Sequence, residues 1–79
     1  MTPFIRLHPA DDVVIARSQL VGGAAIENFT VRGLVPAGHK IAAHAIAQGA
    51  PVRRYNQIIG FASKPIAQGE HVHTHNLDM

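Results

Sequence analysis

The sequence predicts a mostly β domain of short strands and tight turns, with at most one or two short helical turns. Three observations carry this. The first is a recurring beat of apolar residues, a glycine and a β-branched residue two or three positions on. It occurs at Leu20-Val21-Gly22-Gly23-Ala24-Ala25-Ile26, Leu34-Val35-Pro36-Ala37-Gly38-His39-Lys40-Ile41, Ile46-Ala47-Gln48-Gly49-Ala50-Pro51-Val52 and Ile66-Ala67-Gln68-Gly69-Glu70-His71-Val72. Glycine supplies the positive φ of a tight turn, and the residues after it re-enter an extended strand. The second is the enrichment of β-branched residues in runs of four to seven. The third is size: 79 residues allow one domain, residues 1–79, with a small core.

The strands expected in order are residues 4–7, 13–17, 25–31, 40–42, 51–54, 58–63 and 71–75. The run from Val13 to Arg17 is apolar until its last residue, so it should be central and covered on both sides. The one helical candidate is Ile41-Ala42-Ala43-His44-Ala45-Ile46-Ala47. Alanine favours helix, but Gly38 and Gly49 leave room only for a single turn or an irregular bend. Prolines 36, 51 and 65 belong at strand starts, edges or turns.

Composition excludes several classes. There is no cysteine, hence no disulfide framework, thiolate zinc site or cysteine nucleophile. Net charge is only +2 and the longest basic run is Arg53-Arg54, so no nucleic-acid partner is expected. No apolar run suits a signal peptide or a membrane span, and the expectation is a cytoplasmic domain with no membrane contact. Gly22-Gly23 lacks the spacing of a phosphate loop, so no nucleotide cofactor is expected. Ser18 and Ser63 lie in no nucleophile elbow. A small core and an exposed strand edge leave room for a homo-oligomer.

Three places could carry chemistry. In an extended His71-Val72-His73-Thr74-His75-Asn76, residues two apart share a face, so three imidazoles would stand together. Such a set can chelate zinc, iron, nickel or copper, or simply form a polar face. Gly38-His39-Lys40 follows a turn; His39 could act as acid or base and Lys40 could hold an anion. Arg53-Arg54-Tyr55-Asn56 offers an arginine fork for an anion; alternation sends the arginines to opposite faces, and one could instead pair with Asp11, Asp12 or Glu70. Tyr55 suits a half-buried packing role and Asn56 a left-handed turn position. His8 and His44 read as structural or exposed.

Taken in order, Gly38-His39-Lys40-Ile41-Ala42, Ile46-Ala47-Gln48-Gly49, Pro51-Val52-Arg53-Arg54-Tyr55, Ile59-Gly60-Phe61-Ala62 and Ile66-Ala67-Gln68-Gly69-Glu70-His71-Val72-His73-Thr74-His75-Asn76 resemble the SAF-type domain of the altronate and galactarate dehydratase family. The small subunit of sulfolactate sulfo-lyase belongs there too. The family usually has lysine before the tyrosine and glycine after it; here these are Arg54 and Asn56.

The resemblance implies a β-clip fold. It implies a part in a lyase that eliminates water or sulfite from a 2-hydroxy acid such as altronate or galactarate, usually with a divalent metal such as iron(II). The domain would not act alone but with a large dehydratase subunit or a C-terminal catalytic portion. On this footing His71, His73 and His75 are the expected metal ligands, and His39 and Lys40 the expected catalytic residues. Arg54, Tyr55 and Asn76 are expected to bind the small sugar acid. The alternative is a non-catalytic SAF module that closes a partner enzyme's active site or binds a small carbohydrate acid.

Overall fold

The computed structural model describes residues 2–78, and among them there is no helix. Nine short strands run in order: β1 (Phe4–Ile5), β2 (Val13–Ala16), β3 (Ala25–Ile26), β4 (Phe29–Thr30), β5 (Lys40–Ala42), β6 (Pro51–Arg54), β7 (Gln57–Ala62), β8 (His71–Val72) and β9 (Leu77–Asp78). They form a four-stranded sheet β1-β2-β5-β8, a three-stranded sheet β6-β7-β9 and the hairpin β3-β4. All pairings are antiparallel. Among the described residues no helix is long and apolar enough to cross a membrane.

The glycine beat proves to be a structural unit of eight residues, used four times. The units start at Ala16, Val31, Ala42 and Ala62 and end at Gly23, Gly38, Gly49 and Gly69. In each, the residue after the glycine donates its N–H to the carbonyl three positions back: Ala24 to Val21, His39 to Pro36, Ala50 to Ala47 and Glu70 to Ala67, all at 3.0–3.1 Å. The glycines have φ between 82° and 92°, which the third position of a type II turn requires and which only glycine adopts without cost. The units then clasp in pairs. Gly23 N–H donates to Val31 O and Gly38 N–H to Ala16 O; Gly49 N–H donates to Ala62 O and Gly69 N–H to Ala42 O. The fifth residue of each unit bridges to its mate, Leu20 with Val35 and Ile46 with Ile66. The molecule is therefore two similar clasps.

Each clasp has its own core. Leu20 and Val35 pack with Val14, Ala16, Ile26, Val31 and Ile41. Ile46 and Ile66 pack with Val13, Ala42, Val52, Ala62, Val72 and Leu77. Successive residues of β2 and β5 enter different cores, so the four-stranded sheet is the wall between them. This is the two-sided covering expected for the Val13 run.

Three expected strands are shorter or divided. Residues 25–31 fold back on themselves as β3 and β4, because Glu27 takes a positive φ of 46° between them. Residues 4–7 are extended only over Phe4–Ile5. Residues 71–75 are extended only through Val72; the chain then turns, with the N–H groups of Asn76 and Leu77 both donating to the His73 carbonyl. The alanine-rich stretch is an irregular bend: Ile41 and Ala42 belong to β5 and Ile46 to the bridge. The apolar side chains of these alanines and Ile46 go to the core or the surface according to the clasp, and the helical propensity of alanine is overridden.

Candidate metal centre

The site lies where one turn of each clasp feeds the wall. Gly38 of the first clasp leads into His39 and β5; Gly69 of the second leads into Glu70 and β8. Strands β5 and β8 pair with Ile41 opposite His71 and Lys40 opposite Val72. His39 and His71 are thereby brought together from 32 positions apart, His39 Nδ1 lying 2.8 Å from His71 Nε2. His73 stacks on His39 with ring centroids 4.4 Å apart. His75 lies against His71 at 5.3 Å. One nitrogen from each of His39, His71 and His73 lies within 4.8 Å of the others.

These donors suit a divalent first-row ion. Two nitrogens each about 2.1 Å from one ion are at most about 4.2 Å apart, so the three rings need only small rotations to share one. Imidazole must be neutral to ligate. Burial holds the His71 pKa below the usual histidine value, and the neighbouring imidazoles of His39, His75 and His73 push it the same way. The short contact with His39 also requires one ring to donate and the other to accept, so both cannot be charged. His39 and His71 are half-buried, while His73 and His75 are exposed, leaving one side of the cluster open to an incoming group.

The structure arranges the expected residues differently from the spacing argument. His39, expected as an acid or base, stands among the ligand donors, and His75 stands beside the set. The imidazoles gather because the chain turns at His73 and because β5 lies next to β8, not because residues 71–75 alternate along one strand. Lys40 is on the other face of β5. It lies opposite Val72, a residue of the second core, while His71 lies opposite Ile41 of the first. Burial, and then the guanidinium of Arg54, hold the Lys40 pKa below its usual value. Lys40 is thus on a different face of β5 from the histidines, within electrostatic reach of Arg54.

Asn76 departs furthest from expectation. It is fully buried, so it cannot touch a bound acid. Its Oδ1 accepts the His73 N–H at 3.0 Å, and its Nδ2 donates to the His71 carbonyl at 2.9 Å and to Glu70 Oε2 at 3.2 Å. Glu70 in turn accepts the Ala67 N–H at 2.9 Å.

Tyr55 is 67% exposed, not half-buried. It sits at the tip of the β6–β7 hairpin with φ 55°, beside Asn56 with φ 58°. Asn56 takes the left-handed geometry expected of it; Tyr55 does so at a cost, since a bulky residue there is an outlier. The compensation comes from Asp11, buried at 4% exposure, whose two carboxylate oxygens accept the Tyr55 and Asn56 N–H groups at 2.7 Å each. Asp12 accepts the Arg53 N–H at 2.7 Å and meets His44 Nε2 at 2.8 Å. These aspartates therefore serve the backbone of the arginine segment rather than its guanidinium groups.

Sequence reasoning missed two things: that His39 joins the imidazole cluster and that Asp11 clamps the hairpin tip. The repeat held a signal for the first, because aligning Gly38 with Gly69 sets His39 level with Glu70 and places both next to strands that start alike. No local pattern pointed to the second, since Asp11 and Tyr55 are 44 positions apart.

A small β domain of paired glycine turns, with an imidazole cluster where the pairs meet, defines the class. Comparison with known proteins supplies the family. The family model of the altronate/galactarate dehydratase SAF domain matches residues 2–79, and the chain belongs to that family. It is 40% identical over 77 residues to the altronate dehydratase of Escherichia coli (strain K12), covering 92% of this chain and 16% of that protein. It is 34% identical over 80 residues to the altronate dehydratase of Bacillus subtilis (strain 168), again covering 16% of the relative. It is 34% identical over 83 residues to the (2R)-sulfolactate sulfo-lyase subunit alpha of Chromohalobacter salexigens, covering 90% of this chain and 88% of that subunit. The chain thus spans about a sixth of the length of the altronate dehydratases it matches, but most of a separate lyase subunit.

Proposed function

We propose that this chain is the small subunit, or one domain, of a lyase that eliminates water or sulfite from a 2-hydroxy acid to give a 2-keto acid, and that it holds a divalent metal for that enzyme. The observation that carries this is the cluster of His39, His71 and His73, with donors within 4.8 Å of one another. Iron(II) is the ion we favour among the first-row ions that imidazole suits. The size of the altronate dehydratase relatives supports a larger catalytic portion that supplies the remaining ligands and most of the substrate pocket.

The reaction removes the C2 proton of a 2-hydroxy acid and expels hydroxide or sulfite from C3; the enol so formed tautomerises to the keto acid. His39, His71 and His73 would hold a divalent ion, which would supply positive charge to offset the negative charge that builds on the acid as the C2 proton leaves. The residues of this chain have separable tasks. His39, His71 and His73 hold the ion. His75, beside His71 and exposed, offers a hydrogen-bonding group to the incoming acid. Lys40, with Arg54 in electrostatic reach of it, adds long-range attraction that draws an anionic acid toward the domain. Tyr55 borders that approach from the hairpin tip.

The test is to purify the chain anaerobically with its larger catalytic portion, measure bound metal, and assay altronate, galactarate and sulfolactate. His39→Ala should release the metal and lower turnover by at least about a hundredfold. Full metal content and unchanged turnover in that variant would sink the proposal and favour a non-catalytic module that only closes a partner's site.

A further inference from the structure

Resting on the metal reading, we infer that Asn76 is a positioning residue: one buried side-chain amide that fixes the separation of His71 and His73. Three bonds carry the inference. Asn76 Oδ1 holds the His73 N–H at 3.0 Å and Nδ2 holds the His71 carbonyl at 2.9 Å. The same Nδ2 is aligned by Glu70 Oε2 at 3.2 Å, and Glu70 is fixed by the Ala67 N–H at 2.9 Å. The amide thus ties together the backbones of two donor residues, one on each side of Val72. It does so where regular pairing stops, since β8 ends at Val72 and His73 lies in a turn.

Side-chain chemistry explains why asparagine is needed. The site asks for one acceptor and one donor, about a carboxamide's width apart, with no charge beside the Glu70 carboxylate. Aspartate has the shape but lacks the donor. Serine can serve one backbone group but is too short to span both. Hydrogen bonds behind a set of ligands set their orientation, and their loss typically weakens metal binding by 10–100-fold.

The experiment is a zinc(II) titration of the wild-type chain and of Asn76→Asp, Asn76→Ser and the exposed Lys64→Ala, followed by calorimetry and by NMR of the imidazole rings. Zinc is used because it needs no anaerobic handling. The wild type should bind one ion, Lys64→Ala should bind within about twofold of it, and both Asn76 variants should stay folded but bind at least tenfold more weakly. An Asn76 variant that is folded and binds zinc as the wild type does overturns the inference. So does loss of the fold in both variants, which would make Asn76 a residue of the fold and not of the site.

Absence of zinc binding by the wild type counts against the metal reading itself. The inference is then decided without metal, by the contacts between the rings of His39 and His73 in the metal-free chain. These should be present in the wild type and lost in Asn76→Asp; retention would overturn the positioning role.

Discussion

The two clasps share a backbone and differ in what hangs from it. The residues that follow the four turn glycines are Ala24, His39, Ala50 and Glu70. All four make the same turn bond, yet only two take part in the candidate centre, and these come one from each clasp. His39 supplies a nitrogen; Glu70 aligns the amide behind His71 and His73. The other two positions are alanines, each packed against the core of its own clasp. A repeated turn therefore provides a rigid frame, and chemistry is attached only where the frame's two halves meet.

The largest expected effect tests whether the clasps are equally important to stability. Ile66 is 2% exposed and Leu20 7%, and each bridges to its mate in its own core. Truncating either to alanine should cost about 2–5 kcal/mol, a large share of the stability of so small a domain. Urea unfolding should show one transition in both variants, since the wall of β2 and β5 belongs to both cores. Two separated transitions would mean that the clasps fold independently and would break the comparison.

The next effect separates turns that look identical. Gly69 and Gly49 have φ of 84° and 82°. Alanine at Gly49 would meet no atom within 4 Å, whereas at Gly69 its Cβ would collide with the Thr30 carbonyl. Gly49→Ala should therefore cost about 1–2 kcal/mol, the left-handed conformation alone. Gly69→Ala should cost clearly more, because the β4 backbone must shift as well. Equal losses by thermal or urea unfolding would show that the second clasp does not press against β4.

The third effect concerns the hairpin tip. Asp11→Ala removes two charge-assisted bonds to Tyr55 and Asn56 and should cost about 1–3 kcal/mol. Amide exchange at residues 55 and 56 should speed up while that of β8 stays unchanged. A matching increase in β8 would mean that the tip and the histidine cluster move as one.

The comparison also shows what a reader of the sequence could and could not see. The glycine beat was legible because a positive φ leaves a residue-level mark, and so the mostly β class and the central Val13 run followed. The Ile-Ala-Gln-Gly repeat marked two units that do clasp each other. What was not legible was pairing across distance. Nothing local to Gly38-His39-Lys40 says that β5 lies against β8, so His39 read as an isolated acid or base. The histidine strand read as extended because its alternation was regular, yet Asn76 turns the chain by bonding back to His71 and His73. Asn76, read as a residue that binds the acid, is fully buried, since an amide that satisfies three backbone and side-chain partners can be buried without penalty.

The smallest effect contrasts two carboxylates. Asp11 is buried and serves backbone groups; Glu27 is on the surface and meets Arg6 in a two-pronged pair, Nε to Oε2 at 2.7 Å and Nη2 to Oε1 at 2.8 Å. The hydrogen bond from Arg6 holds the Glu27 pKa below its usual value, against a smaller opposing push from burial. A lowered carboxylate pKa means that the unfolded chain takes up its proton first as pH falls. The pair's contribution is therefore complete above the ordinary glutamate value near 4.3 and is lost as pH drops through the lowered one. Exposed pairs contribute at most about 1 kcal/mol and weaken with salt. The wild type should exceed Glu27→Gln by a small, constant margin in urea midpoint between about pH 5 and 7. That margin should close below about pH 4 and shrink in 1 M salt. A margin that ignores both would assign the effect of Glu27 to the geometry of its hydrogen bonds with Arg6 rather than to its charge.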